Sequence, residues 1–173
     1  MSRSSAKTVI IGIIAFFAFT APQAHAAVVN RSQADRFQTG LVGYWTMDGK
    51  DITTSGVITD KSGNGGHGVM TNTPPVAIAV RNGKIGQALQ FDGADDYVQI
   101  NDQSRSTFTA AVWVKLSTRS FASDTVRIIG GGWGWYIQSD VKTYFGKPGT
   151  DEASPASTNP IPDTGWHHVA VSY

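Results

Sequence analysis

The sequence predicts an all-β protein, and two observations carry that prediction. Residues 27–173 hold 14 Val, 9 Ile and 15 Thr against 3 Leu and a single Glu. Branched side chains pack well on a pleated surface, whereas Leu and Glu are ordinary helix formers. The apolar positions also alternate with period two in ten short runs, the spacing of a sandwich or barrel. Eighteen glycines in the same span supply the turns between them.

The first run, 41–47, places Leu41, Trp45 and Met47 on one face and Val42, Tyr44 and Thr46 on the other. Phe108, Ala110, Val112, Val114 and Leu116 form the longest alternating row and are the candidate central core strand. Further runs lie at 69–72, 76–80, 87–91, 97–100, 126–130, 133–138, 141–145 and 166–173. Asn82-Gly83 and Asp92-Gly93 suit tight hairpin corners, and Pro74-Pro75 interrupts any ladder. Residues 146–165 contain four prolines and are expected to form a long surface loop.

Residues 1–26 have the form of a secretory signal. Arg3 and Lys7 give a positive start, an apolar stretch spans 9–19, and Ala24-His25-Ala26 is a small-x-small cleavage site. Eleven apolar residues cover only about 16 Å as a helix, against a hydrocarbon core of ~30 Å, which argues against a stable membrane anchor. Residues 27–40 are polar and are expected to link this leader to a domain over 41–173. Without the leader, 12 basic groups face 13 acidic ones. With no Lys/Arg block, the chain lacks the electrostatic footprint of a nucleic-acid binder. The absence of cysteine removes disulfide scaffolds, zinc knuckles and thiol catalysis.

Several motifs in register carry a resemblance. Leu41-Val42-Gly43-Tyr44-Trp45-Thr46-Met47-Asp48, the glycine-rich stretch from Asp60 to Gly68, and Gly83 to Val98 with its Phe91-Asp92-Gly93 core come first. Thr107 to Lys115 and the terminal run 166–173 follow in the same order. Together they resemble the LamG-like jelly-roll family of the concanavalin A-like sandwiches. The resemblance implies an antiparallel two-sheet jelly-roll sandwich over 41–173, and a module that binds glycans or protein surfaces, often beside calcium. Relatives continue into a further hairpin and an acidic strand, so the chain is expected to stop before its closing strands.

Candidate sites were weighed against plain structural roles. Gly63, Gly65 and Gly68 fit a dinucleotide-fingerprint spacing, but the prolines that follow leave no room for the helix it requires. Asp60, Ser62 and Asn64 place oxygen side chains at alternate positions of a glycine-rich turn, which makes Asp60 and Asn64 candidate calcium ligands beside the alternative of a metal-free Asx turn. Asp92, Asp95 and Asp96 are the densest acidic cluster, yet Asp92-Gly93 is also a good turn and no Glu-rich strand is present. A non-catalytic module follows. Trp45, Trp113 and Trp166 lie in strand motifs and are expected in the core. Trp133 and Trp135, set beside Gly130-Gly131-Gly132 and separated by Gly134, are the candidate sugar-stacking pair, with core packing as the alternative. His167 and His168 point to opposite faces and cannot chelate one ion together.

The expected function is secreted recognition of a glycan or cell-surface polymer, with a structural or adhesive spacer lacking a small ligand as the alternative. Export is expected to release a chain beginning at Ala27. N-terminal sequencing of the secreted product checks this, and Met1 retained in a membrane fraction would replace export by anchorage.

Overall fold

The computed structural model describes residues 9–17, 39–71, 80–101, 107–119, 125–130, 134–146 and 156–172. Among these residues the strands are β1 (Val9–Phe17), β2 (Leu41–Trp45), β3 (Val57–Ile58), β4 (Gly68–Thr71), β5 (Val80–Asn82) and β6 (Gln87–Phe91). They continue as β7 (Tyr97–Gln99), β8 (Thr109–Leu116), β9 (Val126–Ile129), β10 (Gly134–Ile137), β11 (Thr143–Gly146) and β12 (Trp166–Ser172). A short 3-10 turn covers Gly49–Asp51. Every pairing is antiparallel, so the all-β antiparallel architecture predicted from sequence stands.

The six-stranded sheet runs β12-β8-β1-β6-β5, with β2 also paired to β1. Two three-stranded sheets, β11-β10-β9 and β3-β4-β7, complete the fold. A single apolar cluster joins all three: Ala110, Val112, Val114 and Leu116 from β8, Trp45 and Leu89 from the same sheet, Ile58 and Met70 from β3-β4-β7, and Ile128, Trp135, Ile137 and Phe145 from β11-β10-β9. The even-numbered row of β8 is at most 1% exposed, as the alternation predicts for a strand with one core face. This is the layered arrangement of a jelly-roll sandwich.

The strand at the centre of the large sheet lies in the segment assigned to the leader. Val9–Phe17 pairs with β8 along one side, from Val9 opposite Leu116 to Phe17 opposite Thr109. On its other side it pairs first with β6 and then with β2. A run rich in β-branched Val and Ile suits a strand as well as a leader, which is why one sequence satisfies both a leader pattern and this slot. The cleavage site at 24–26, most of the linker and most of the run 76–80 lie outside the described residues.

One of the two hairpin assignments changes. Asn82-Gly83 does begin the β5–β6 hairpin, closed by the Gly83 amide donating to the Gly86 carbonyl at 3.0 Å. Asp92-Gly93 instead carries the chain from the large sheet into the β3-β4-β7 sheet, because β6 pairs with β1 and β5 while β7 pairs with β4. Gly93 has φ +78°, so the tight turn is real although it joins no hairpin.

Because Ala15 lies opposite Ala111, Ala15→Cys with Ala111→Cys in the intact chain should oxidise to an intramolecular disulfide, since opposed residues fall within disulfide range. The chain has no other cysteine to confuse the assignment. Ala15→Cys with Ala170→Cys, one strand further away, should stay reduced, and equal cross-linking of both pairs would dislodge β1 from its slot.

Candidate functional site

Asp60 is 5% exposed at the start of the glycine-rich loop that follows β3. Its Oδ1 accepts from the amides of Tyr44 at 2.9 Å and Ser62 at 2.8 Å. Its Oδ2 accepts from the Ser62 hydroxyl at 2.7 Å and the Gly66 amide at 3.0 Å. Four accepted bonds fill the usual lone-pair capacity of a carboxylate. Burial pushes the carboxyl up, but these bonds outweigh it and its pKa falls below the ordinary value. Asn64 uses its Nδ2 as a donor to the carbonyls of Leu41 at 2.8 Å and Val42 at 3.1 Å. Asp60 and Asn64, the candidate calcium ligands, thus form an Asx turn that clasps β2, with both Asp60 oxygens accepting protein hydrogens. The same region holds Asp51, 7% exposed, against Lys61, Thr46 and Lys50, which together hold its carboxyl far below the usual range.

Of the candidate sugar-stacking pair, Trp135 lies among the described residues and takes the alternative role of core packing. Trp135 is 2% exposed and belongs to the core cluster. All four residues of β10 are buried, so the glycine beside Trp135 opens no groove. Phe145 stands opposite Trp135, while on the other face Tyr136 stacks on Tyr144 with ring centroids 5.8 Å apart. Trp133 lies outside the described residues. Of the three tryptophans expected in the core, only Trp45 is fully there, at 1% exposure. Its indole donates to the Gly66 carbonyl at 3.0 Å, and a methyl group at Gly43 would overlap its ring. Trp113 and Trp166 are half-buried.

The concave site is elsewhere. A groove of about 870 Å³ lies between the crossing from β6 to β7 and the outer strand β9, within the size range of ligand sites. Its floor is apolar, with Ile14, Trp45, Met47 and Phe91, and its rim is polar, with Asp95, Gln99 and Arg127. Tyr97 lines it and is 51% exposed. Met47 is held at φ +59°, a conformation unusual for a non-glycine residue and one that tends to collect at functional sites. Sequence reasoning identified Asp95 and Asp96 only as an acidic cluster and missed Tyr97 and Arg127, whose strands are separated by β8 along the chain and meet only across the groove.

Asp92, Asp95 and Asp96 are the one group of three acidic, His or Cys residues among those described with oxygens close enough to share an ion, all within 4.8 Å of one another. Asp92 Oδ1 accepts from the Ala94 amide at 2.8 Å, and Asp96 Oδ2 from the Asp92 amide at 2.9 Å. Asp96 Oδ1 is buried with no hydrogen-bond partner. Burial raises the Asp96 pKa, and the neighbouring Asp92 and Asp95 charges add to the rise.

An antiparallel sandwich with an open, apolar-floored groove is the architecture of a binding module. Residues 92–173 match the family described as the concanavalin A-like lectin/glucanases superfamily. That match supports a carbohydrate- or protein-binding module, of a type that is typically extracellular and non-catalytic. No curated protein and no solved structure gives a match. Among the described residues no helix is long and apolar enough to cross a membrane.

Asp60→Asn should destabilise the fold by about 1–3 kcal/mol, because an amide NH2 would face backbone donors that lose their acceptor. The loss should be identical in calcium and in chelator, measured by thermal melting. Since the Asp60 and Asp51 pKa values are lowered in the folded state, the stability they contribute is present above about pH 4 and disappears as the pH falls through the folded values. In Asp60→Asn the acid-dependent loss should be smaller.

Proposed function

We propose that the protein is an exported, non-catalytic module that recognises glycan in the groove between the β6–β7 crossing and β9. The observation that carries this reading is the half-exposed Tyr97 beside an apolar floor and a rim of Asp95, Gln99 and Arg127. A pyranose offers the matching chemistry, an apolar C–H face for the ring and hydroxyls for the charged rim. The extracellular habit of the matched family supports export, and the reading requires that the exported chain keep Val9–Phe17, because Ile14 lies in the groove.

Calcium fits this reading at Asp92, Asp95 and Asp96 rather than at Asp60. The buried, unpartnered Oδ1 of Asp96 and the proximity of three carboxylates are the features a hard cation satisfies. When bound, the ion supplies positive charge that relieves the repulsion among these groups and stiffens the loop bearing Tyr97. The chain's own residues do the rest. Tyr97 stacks, Asp95, Gln99 and Arg127 orient hydroxyls, and Trp45, Met47 and Phe91 exclude water from the floor.

Affinity electrophoresis of the intact chain through a panel of neutral polysaccharides tests the reading. Wild type should be retarded by at least one, and Tyr97→Ala should weaken that retention by about tenfold, the loss of one good aromatic contact. In melting experiments calcium at 100 times its Kd should stabilise wild type by ~2.7 kcal/mol, and Asp96→Asn should remove most of that gain. Retention untouched by Tyr97→Ala would dismiss the groove, the absence of any retention would leave a structural spacer, and hydrolysis of the retained glycan would make the module an enzyme.

A further inference from the structure

The outer face of the six-stranded sheet carries aromatic and cationic groups that the core does not use. Trp113 sits on β8 between Val112 and Val114, both fully buried, so its indole points away from the core. Its cross-strand partner is His168, with ring centroids 5.2 Å apart and planes inclined by 60°. Two residues along, on the same face, Lys115 is opposite Trp166. The remaining β8–β12 pairs on this face are small, Ala111 with Ala170 and Thr109 with Ser172, whereas on the other side of β8 the register sets Ile10 opposite Lys115 and Phe17 opposite Thr109. The aromatic rings therefore have low neighbours along β12.

Gly12 is the neighbour of Trp113 on β1. The register slips between Ile11 and Ile14, so two residues of β1 oppose Trp113, a β-bulge with glycine in it. A methyl group at Gly12 would lie 3.1 Å from Trp113 Cβ and 3.8 Å from the Trp166 ring. The Lys84 ammonium, from the β5–β6 turn, lies 5.7 Å from the Trp113 ring centroid. That distance is near the outer limit of a cation–π contact, which leaves the exposed lysine free to take an anion. None of the six strands of this sheet contains Asp or Glu.

We propose that this face is a second binding surface, independent of the groove, and that its occupant is an acidic polysaccharide. The half-buried indoles of Trp113 and Trp166 stack on the C–H faces of pyranose rings, while Lys84 and Lys115 pair with the sugar carboxylates. Charge complementarity selects the acidic polymer, since the sheet presents cations with no carboxylate to compete for them. Nucleic acid is the poorer occupant: a near-neutral chain without a Lys/Arg block cannot track a phosphate backbone.

The test is affinity electrophoresis of the intact chain in gels containing polygalacturonate or its fully methyl-esterified form, with single-stranded DNA as competitor. Polygalacturonate should retard the wild type at least tenfold more strongly than the ester, and the difference should shrink as salt is raised. Trp113→Ala should weaken binding about tenfold, Trp113→Tyr should restore most of it and control for folding, and Lys84→Gln with Lys115→Gln should remove the preference for the acid over the ester. Tyr97→Ala, in the groove, should change none of this. Equal retardation by acid and ester, or no retardation by either, would overturn the proposal. So would loss of binding in Tyr97→Ala but not in Trp113→Ala, or displacement by DNA at equal charge, which would mean attraction to any polyanion.

Discussion

The rest of the structure depends on β8 being flanked on both sides. Its even-numbered row supplies four side chains at most 1% exposed, around which all three sheets converge. A strand can present such a row steadily only when its edges are hydrogen-bonded, because an unpaired edge frays and seeks another chain. Seven register pairs with β12 and seven with β1 provide that restraint. Of the two neighbours β1 has the larger reach, since it also holds β6 and β2 and so links β8 to the strands that bear Trp45, Leu89 and Phe91. The groove inherits this dependence directly, because Ile14 of β1 forms part of its floor.

Sequence periodicity revealed β8 and β6 almost to the residue, because each has a continuous row facing one core. It missed β3, whose two residues are too short for a period to register, and it could not separate a leader from β1, because a run of β-branched apolar residues serves a strand and a signal segment alike. The Asp92-Gly93 turn shows a different limit. Turn chemistry reports local φ angles, and Gly93 obeys it, but nothing in a dipeptide says whether the next strand pairs with the last one or crosses to another sheet. The groove was invisible for that reason: Tyr97 faces β9 only because the chain changes sheets at residues 92–96.

The two acidic loops illustrate how donor supply decides what a carboxylate does. Asp60 sits where Tyr44, Ser62 and Gly66 converge backbone amides on it, so its charge is stabilised by the fold and its pKa drops. Asp96 receives one amide bond, shares its loop with two like charges and has one oxygen sealed from solvent without a partner, so burial and repulsion raise its pKa. From sequence the two loops look alike, with Asp and Gly in each. Their difference lies in which strands stand behind them. β2 adds the Tyr44 amide to the two that Asp60 draws from its own loop, whereas the crossing from β6 to β7 leaves Asp96 with one.

The tryptophans follow from parity on β8. Once Ala110, Val112, Val114 and Leu116 are taken as the core row, Trp113 must lie on the opposite face, since a strand turns successive side chains to opposite sides. The antiparallel register then carries His168 and Trp166 to that same face, opposite Trp113 and Lys115. A large aromatic on the outer side of a central strand would ordinarily need a second layer to cover it. Here the neighbours along β8 and β12 are Ala111, Ala170, Thr109 and Ser172, too small to do so, and glycine at position 12 spares Trp113 a methyl group 3.1 Å from its Cβ. The arrangement that makes β8 the centre of the core on one side thus leaves an accessible aromatic shelf on the other.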